Sequence, residues 1–274
     1  MADLPRSQSG RSLREVAFGV AREAGAFLVE CFQRPRAELG IRFKGRGNLV
    51  TEVDLQAEKL ILGRLAAEFP HWQAVAEESA PTAADSPDVW IVDPLDGTNN
   101  FSFGIPFFSV TLAAMRQGEV EFGLVYDPLR QEMFWAERGG GAHLDGKTLA
   151  VSAKGELQTS LVGLDMGYDD ARGAEMLDFL RRLWPGVFSF RILGSGALGL
   201  AYAAAGRLDV YMHRCLYPWD IAGGTLLVRE AGGTVTDWHG QPLTFATHDV
   251  VATNPPRHAH LQALRGKQSP GDAV

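Results

Sequence analysis

The sequence Val89-Trp90-Ile91-Val92-Asp93-Pro94-Leu95-Asp96-Gly97-Thr98 leads an apolar run into a turn that contains two carboxylates. The apolar run predicts a buried strand. Pro94 predicts that the strand stops at Asp93, because proline has no N–H to donate and favours extended backbone in the residue before it. Two carboxylates three residues apart on a rigid turn can converge on one point, and hard oxygen ligands of this kind suit Mg²⁺.

The backbone after this acidic pair could receive a phosphate group. Gly97 and Thr98 place N–H groups beside the predicted metal position, at a predicted helix start, where phosphate oxygens bind well. The alternative is an ordinary β-turn, since Asp, Pro and Gly are common turn residues. The segment alone does not decide between the two interpretations.

Two other acidic segments lie at the ends of predicted elements. Glu77 and Glu78 follow a short apolar strand, although adjacent glutamates in a loop are usually solvated. Asp220 begins a predicted helix in Pro218-Trp219-Asp220-Ile221-Ala222-Gly223-Gly224. Asp220 could be a simple N-cap, but the small residues after it predict a helix that packs closely against another backbone.

Hydrophobic periodicity predicts the elements around these segments. Helical spacing predicts one helix from Ser12 to just before Pro35 and a second from the N-cap Thr51 to Phe69. A first set of strands, with a hairpin at residues 117–118, is predicted at 73–76, 89–92, 108–115, 120–126 and 132–136. The second half alternates between strands at 161–165, 188–193, 208–212 and 250–252 and helices at 174–183, 197–205 and 221–231.

The order of these elements predicts a mixed fold, α+β in the first half and α/β in the second. Residues 11–265 are expected to form one catalytic domain, because no linker-like segment separates the halves. Its sub-domains would span about 11–155 and 156–265, with the site in the cleft between them. Residues 1–10 and 266–274 are rich in Ser, Pro, Gly and charge and are expected to be disordered.

The composition is that of a globular protein, with 274 residues, 46% hydrophobic and 22% charged. The formal net charge of -7 disfavours nucleic acid and anionic membranes as partners. An acidic protein also needs cations to bind an anionic phosphate ester. The two cysteines form no metal or disulfide pattern, and the sequence has no apolar run of membrane-spanning length, so a cytoplasmic location is expected.

Taken together, the three acidic segments resemble the signatures of the inositol monophosphatase family. The matching runs, in order and at similar spacing, are Glu77-Glu78-Ser79, Asp93-Pro94-Leu95-Asp96-Gly97-Thr98 and Trp219-Asp220-Ile221-Ala222-Gly223. The resemblance extends from about Ser12 to Leu264. It implies a layered αβαβα fold, a homodimer, and a lithium-sensitive site for two to three Mg²⁺ ions in the cleft.

The resemblance also implies a metal-binding role for each matching acid. Glu77, Asp93 and the carbonyl of Leu95 would hold a first ion. Asp93, Asp96 and Asp220 would hold a second ion, and Glu77 would reach a third through water.

The remaining implied roles concern the water and the substrate. Asp54 and Thr98 would orient the attacking water and, with Glu77 and Asp93, form the catalytic set. Lys44 matches a lysine of the family's lid loop, in a stretch that is one residue shorter here. The implied substrate contacts are Asp96, Gly97, Thr98, Gly196, His213 and Asp220.

The run Gly194-Ser195-Gly196-Ala197-Leu198-Gly199 fits a dinucleotide-binding pattern and joins a predicted strand to a predicted helix. The motif lies late in the chain, and the acid Asp209 is closer to it than a ribose-binding acid should be. The preferred interpretation is a closely packed helix start that faces the cleft. A nucleotide-binding protein is the alternative of another class.

His213 departs from the family pattern. Family members specialised for inositol phosphate have a glutamate at this position, whereas this chain has His213-Arg214. A protonated imidazole beside an arginine would favour a sugar phosphate or a second phosphate group. The alternative is a surface histidine at a strand end.

The expected activity is Mg²⁺-dependent hydrolysis of a small phosphorylated alcohol or sugar by metal-activated water. Inositol 1-phosphate is the first candidate substrate. Fructose 1,6-bisphosphate, histidinol phosphate and 3′-phosphoadenosine nucleotides are alternatives at the same site. A catalytically inactive interaction protein is disfavoured, because every acidic position of the motifs is present.

Overall fold

The structure is a computed structural model that describes residues 4–79 and 85–265. Within these residues the α-helices are α1 (Leu13–Phe32), α2 (Glu52–Glu68), α3 (Thr98–Ser102), α4 (Asp170–Leu183), α5 (Gly196–Ala204), α6 (Pro218–Glu230) and α7 (Pro255–Arg265). None of these helices combines the length and the apolar character that crossing a bilayer requires.

The strands form a hairpin and two larger sheets. The hairpin pairs β1 (Arg42–Gly45) with β2 (Asn48–Val50). The seven-stranded sheet contains, in spatial order, β3 (Gln73–Ala76), β4 (Asp88–Asp96), β5 (Ser109–Arg116), β6 (Glu119–Asp127), β7 (Glu132–Glu137), β8 (Gly141–Leu144) and β9 (Lys147–Thr148). The five-stranded sheet has the order β11 (Ser189–Ile192), β10 (Leu161–Asp165), β12 (Val210–His213), β14 (Val250–Thr253) and β13 (Thr234–Thr236).

The helices and sheets stack in five layers. Helices α1 and α2 pack on one face of the seven-stranded sheet. Helices α5 and α6 lie between the two sheets and contact strands of both. Helices α4 and α7 cover the other face of the five-stranded sheet. The predicted layered αβαβα fold is therefore confirmed.

Side-chain caps fix the starts of the first two long helices where the sequence predicts them. Ser12 and Glu15 form a capping box at α1, and Thr51 and Asp54 form one at α2. Each box satisfies backbone N–H groups that have no partner within the helix.

The prediction that the central strand stops at Asp93 is wrong, because β4 continues to Asp96. Asp93 pairs with Thr111, and Asp96 pairs with Ser109. An advance of three residues along β4 is therefore matched by only two along β5, which is a β-bulge. Pro94 lies within this irregularity, where its missing N–H costs no regular ladder hydrogen bond. The bulge keeps both aspartates at the end of the strand.

Residues 4–10 differ from the expected disordered tail. The Gln8 N–H donates to the Glu68 carbonyl, and Ser9 and Arg11 hydrogen bond to the Glu68 side chain. Ser7 is buried. These contacts with the end of α2 hold the segment in place. The rest of the two predicted tails, residues 1–3 and 266–274, lies outside the described residues.

Candidate active site

Three carboxylates converge where β4 ends and α6 begins. Asp93 and Asp96 come from the bulged end of β4, and Asp220 comes from the first turn of α6. One oxygen from each side chain lies within 4.8 Å of the others. Asp93 is 1% and Asp96 6% exposed. As predicted, the two aspartates of the β4 end converge on one point. Asp220 is the third member of the cluster.

Burial and mutual repulsion make this cluster electrostatically unfavourable by itself. Burial, followed by repulsion from Glu77, Asp96 and Asp220, raises the pKa of Asp93 well above its usual range. Burial and repulsion from Glu77 likewise raise the pKa of Asp220 well above its usual range. A bound cation would remove both penalties, because it replaces the lost water and neutralises the repulsion.

Asp96 is held in one orientation by donors from two elements. Its Oδ2 accepts from the Ser109 hydroxyl at 2.9 Å, from the Ser195 hydroxyl and from the Ala197 N–H at 3.3 Å. Its Oδ1 accepts the Gly196 N–H at 2.9 Å. Because Oδ1 accepts from only this one donor among the described residues, it has room for a metal ion.

These contacts bear directly on the glycine-rich motif at residues 194–199. The start of α5, where a dinucleotide phosphate would bind, already donates its N–H groups to Asp96. Farther along, a Cβ on Gly199 would lie 2.2 Å from the Tyr211 ring. Gly199 therefore permits close packing of α5 on β12, and the motif supports the preferred interpretation over a nucleotide site.

Asp54 and Thr98 meet beside the carboxylate cluster. The Thr98 hydroxyl lies 2.9 Å from Asp54 Oδ1 and 3.0 Å from the Leu95 carbonyl. Asp54 is fully buried, and its Oδ2 accepts from the backbone N–H and hydroxyl of Thr51. Burial raises the pKa of Asp54 above its ordinary value. The structure thus joins two residues that are 44 positions apart.

Glu77 faces the cleft and forms an ion pair with Lys44. Lys44 Nζ lies 2.9 Å from Glu77 and 2.6 Å from Glu78. Burial raises the pKa of Glu77 to about 7, although Lys44 acts in the opposite direction. Lys44 lies on β1 of the hairpin, which brings it from a distant part of the sequence to the acidic segment.

Glu58 supports the segment 77–79, and sequence patterns did not identify it as a site residue. It is buried on α2, one turn after Asp54, and accepts from the Glu78 N–H at 2.8 Å and from the Ser79 hydroxyl. These bonds fix the turn that presents Glu77. The available signal was a pair of acids, Asp54 and Glu58, on the apolar face of a predicted helix.

Gly97 is required by the turn that follows Asp96. Its φ of +92° is unfavourable for residues with a side chain. A Cβ would lie 3.1 Å from the carbonyl oxygens of Phe107 and Gly194. Gly97, Thr98 and Gly196 all line a cleft of about 200 Å³ that is also lined by the three clustered aspartates.

His213 lines the same cleft, but the structure changes its expected role. It is 7% exposed, and burial lowers its pKa to about 3. Its Nδ1 accepts the Cys215 N–H at 3.0 Å, which requires an unprotonated Nδ1. The expectation that His213 becomes positively charged and attracts a second phosphate is therefore wrong.

Arg214 does not reinforce His213. Its guanidinium lies 2.7 Å from Glu175 and 3.7 Å from Asp249, and it stacks on Trp238 at 4.5 Å. These contacts hold Arg214 among residues outside the cleft. The proposed basic pair is not available to a substrate.

The donor set fits a hard divalent cation. Carboxylate oxygens from the buried Asp93 and Asp96 and from the partly buried Asp220 provide negative charge and oxygen ligands at one position. Glu77 and the Leu95 carbonyl line the same cleft and could complete the set. The raised pKa values of Asp93 and Asp220 reflect the burial and repulsion expected of such a site without its cation.

Comparison with known proteins identifies relatives over most of the chain. The model of the inositol monophosphatase family matches residues 10–269. The inositol-1-monophosphatase of Mesorhizobium japonicum is 39% identical over 245 residues, covering 89% of this chain and 92% of the relative. The Nus factor SuhB of Escherichia coli K12 is 38% identical over 242 residues, covering 88% and 90%. The crystal structure of the extragenic suppressor protein SuhB from Bartonella henselae superposes with a TM-score of 0.89 at 36% identity, covering 94% of this chain and 99% of that one.

Proposed function

This chain belongs to the inositol monophosphatase family, and we propose on that basis that it is a Mg²⁺-dependent phosphatase of small phosphate monoesters. The main support is the convergence of Asp93, Asp96 and Asp220 in one cleft. A phosphate monoester carries negative charge that repels nucleophiles, so a site for it needs bound cations. An acidic cluster that requires cations meets that need.

The metal ligands would be shared among the elements that meet at the cleft. Asp93 and Glu77, with the Leu95 carbonyl, would hold one Mg²⁺, and Asp93, Asp96 and Asp220 a second. A third would be held more weakly near Glu77. When bound, Mg²⁺ supplies charge neutralisation and lowers the pKa of bound water.

The remaining residues would orient the reactants. The Thr98 hydroxyl donates a hydrogen bond to Asp54, which would leave the hydroxyl oxygen free to accept a hydrogen bond from the attacking water. Backbone N–H groups of Gly97 and Thr98 would donate to phosphate oxygens. Lys44, on the β1–β2 hairpin, would keep the charge of Glu77 and Glu78 balanced while the cleft is open.

Inositol 1-phosphate is the substrate we propose first. The Mesorhizobium japonicum relative is named inositol-1-monophosphatase. The neutral state of His213 and the position of Arg214 remove the reason for preferring a bisphosphorylated sugar. Histidinol phosphate, fructose 1,6-bisphosphate and 3′-phosphoadenosine nucleotides are the competing substrates for the same centre.

We also propose a homodimer that uses the outer strand of the five-stranded sheet. Ile192 on β11 and its neighbours Phe188 and Trp184 are exposed by 67%, 68% and 58%. Exposed apolar residues at a sheet edge are typical of an interface.

A phosphate-release assay tests the proposed activity. Inositol 1-phosphate and the three competing substrates are each incubated with the protein at millimolar Mg²⁺ and with EDTA. We expect release with Mg²⁺ that is highest for inositol 1-phosphate and inhibited by Li⁺. Absence of release from every substrate would contradict the enzyme assignment and favour a non-catalytic role, as the Nus factor names of other relatives suggest.

A further inference from the structure

A second cavity lies behind the candidate metal centre. Its volume is about 410 Å³, which is within the range of small-molecule sites. Its walls come from β3, β4 and α6, among them Val75, Ile91 and Ile221. The proposed substrate cleft has a different lining.

The α6 wall contributes a hydroxyl and a guanidinium to the cavity. Ile221, Thr225 and Arg229 recur every fourth residue and therefore share one face of the helix, and all three line the cavity. The Thr225 hydroxyl is buried and, among the described residues, has no hydrogen-bond partner. A buried hydroxyl of this kind is unfavourable unless a bound group satisfies it.

Arg229 lies at the exposed end of the cavity wall, near Arg138 and Glu119. Within residues 4–79 and 85–265 it forms no ion pair, whereas its neighbour Arg138 is paired with Glu119 and Glu121. Desolvation, followed by repulsion from Arg138, lowers the pKa of Arg229, whereas Glu119 acts in the opposite direction. The charged residues that line this end of the cavity are Arg138, Arg229 and Glu119, so its net charge is positive and favours an anion, and the rest of the lining favours an apolar body.

The cavity walls are continuous with the metal-binding elements. Val75 precedes Glu77 by two residues, Ile91 precedes Asp93 by two, and Ile221 follows Asp220. Val75 and Ile91 also pack with Trp219, the residue before Asp220. A molecule between these walls would contact all three elements that position the carboxylates.

We propose that this cavity is an effector site for a small amphipathic carboxylate. The carboxylate pairs with Arg229, the apolar body lies against Val75, Ile91 and Ile221, and occupation changes the affinity of the carboxylate cluster for Mg²⁺. The coupling rests on the proposed metal centre, whereas the binding does not.

Calorimetric titration of the metal-free protein with octanoate tests the binding. Without Mg²⁺ the acidic cleft repels a carboxylate, so octanoate reports on the second cavity. We expect Arg229→Gln to weaken binding about tenfold or more, because a charged hydrogen-bonded pair is lost. Arg181→Gln, an exposed arginine on α4, should bind as the unaltered protein does, and 1-octanol should bind more weakly. Equal octanoate affinity in the Arg229→Gln protein, or no binding at all, would overturn the proposal.

Titration with Mg²⁺ in the presence and absence of octanoate tests the coupling without turnover. By thermodynamic reciprocity, octanoate must change Mg²⁺ affinity by the same factor as Mg²⁺ changes octanoate affinity. We expect octanoate to change the Mg²⁺ affinity by a factor of about 5 or more, which is the lower end of the usual range for coupled sites. Arg229→Gln should abolish this change. Identical Mg²⁺ curves would contradict the effector role. Failure of Mg²⁺ to bind under either condition would instead contradict the proposed metal centre.

Discussion

Asp96 accepts hydrogen bonds from the start of α5 while it faces Asp93 and Asp220 in the cleft. The same contacts align it for a cation and prevent a cofactor phosphate from using that helix start. The Asp96 side chain thus connects β4 to β5 and α5. Ionisation of the acids in this site is expected to affect both folding and metal binding.

The raised pKa values predict that the metal-free protein loses stability as pH rises. An acid whose pKa is higher in the folded state binds more protons when folded, so its contribution is present at low pH and is lost as pH rises through the folded pKa. For Glu77 the window runs from its ordinary value of 4.5 to about 7. The contribution is on the order of 3 kcal/mol.

Thermal unfolding in EDTA across this window measures the effect. The Tm should fall as pH is raised, and saturating Mg²⁺ should remove most of the dependence, because ionised ligands bind the cation. A Tm in EDTA that is constant across the window would contradict the raised pKa of Glu77.

His213 is expected to influence substrate choice. His213→Glu should favour inositol 1-phosphate over fructose 1,6-bisphosphate, because a carboxylate accepts a hydroxyl hydrogen bond and repels a second phosphate. The ratio of the two kcat/KM values should change by about 1 to 3 kcal/mol, as for one hydrogen-bonding group. His71→Glu, on an exposed histidine, is the control. An unchanged ratio would show that His213 does not contact the substrate.

At the scale of elements, α6 depends on an unusually close contact with β6. A Cβ on Gly123 would lie 2.7 Å from the Gly223 backbone, so Gly123 has no room for a side chain, and a Cβ on Gly223 would lie 3.2 Å from the Leu124 carbonyl oxygen. The small residues after Asp220 predicted such an approach, and the structure identifies β6 as the partner. The contact positions the helix whose first turn bears Asp220.

Gly123→Ala should therefore separate α6 from β6 and destabilise the protein. Overpacking of this kind costs about 1 to 3 kcal/mol or more, and displacement of Asp220 should also raise the Mg²⁺ concentration that gives half-maximal activity. Chemical denaturation and Mg²⁺ titration measure the two effects.

Gly63→Ala is the matched control for this substitution. A Cβ on Gly63 would meet nothing within 4 Å, and alanine in a helix is favoured over glycine by about 0.5 to 1 kcal/mol. Gly63→Ala should thus stabilise α2. Equal stability of the two variants would contradict the close contact.

At the scale of the whole molecule, local patterns predicted most elements, and long-range contacts explain the rest. Helical periodicity and the caps at Ser12 and Thr51 were sufficient for α1 and α2. The β1–β2 hairpin was not predicted, because β1 is exposed throughout and has no apolar alternation. The short β8, β9 and β13 contain too few residues for a periodicity to be visible.

The site was predictable where its residues lie in compact motifs. Asp93, Asp96 and Asp220 stand out by their turn and helix-start positions. The supporting hydroxyls do not, because Ser109 and Ser195 reach Asp96 across 13 and 99 residues. The charge of His213 was mispredicted for a related reason, since burial depends on packing of the whole five-stranded sheet.

The most direct test of the central claim is phosphate release from inositol 1-phosphate by the Asp93→Asn protein at saturating Mg²⁺. Loss of a carboxylate ligand should reduce turnover by more than about 100-fold. The Tm in EDTA should be maintained or raised, because one source of repulsion is removed. Asp178→Asn, an exposed aspartate on α4, should leave both quantities unchanged. A folded Asp93→Asn protein with near-normal turnover would contradict the assignment of the carboxylate cluster as a catalytic metal centre.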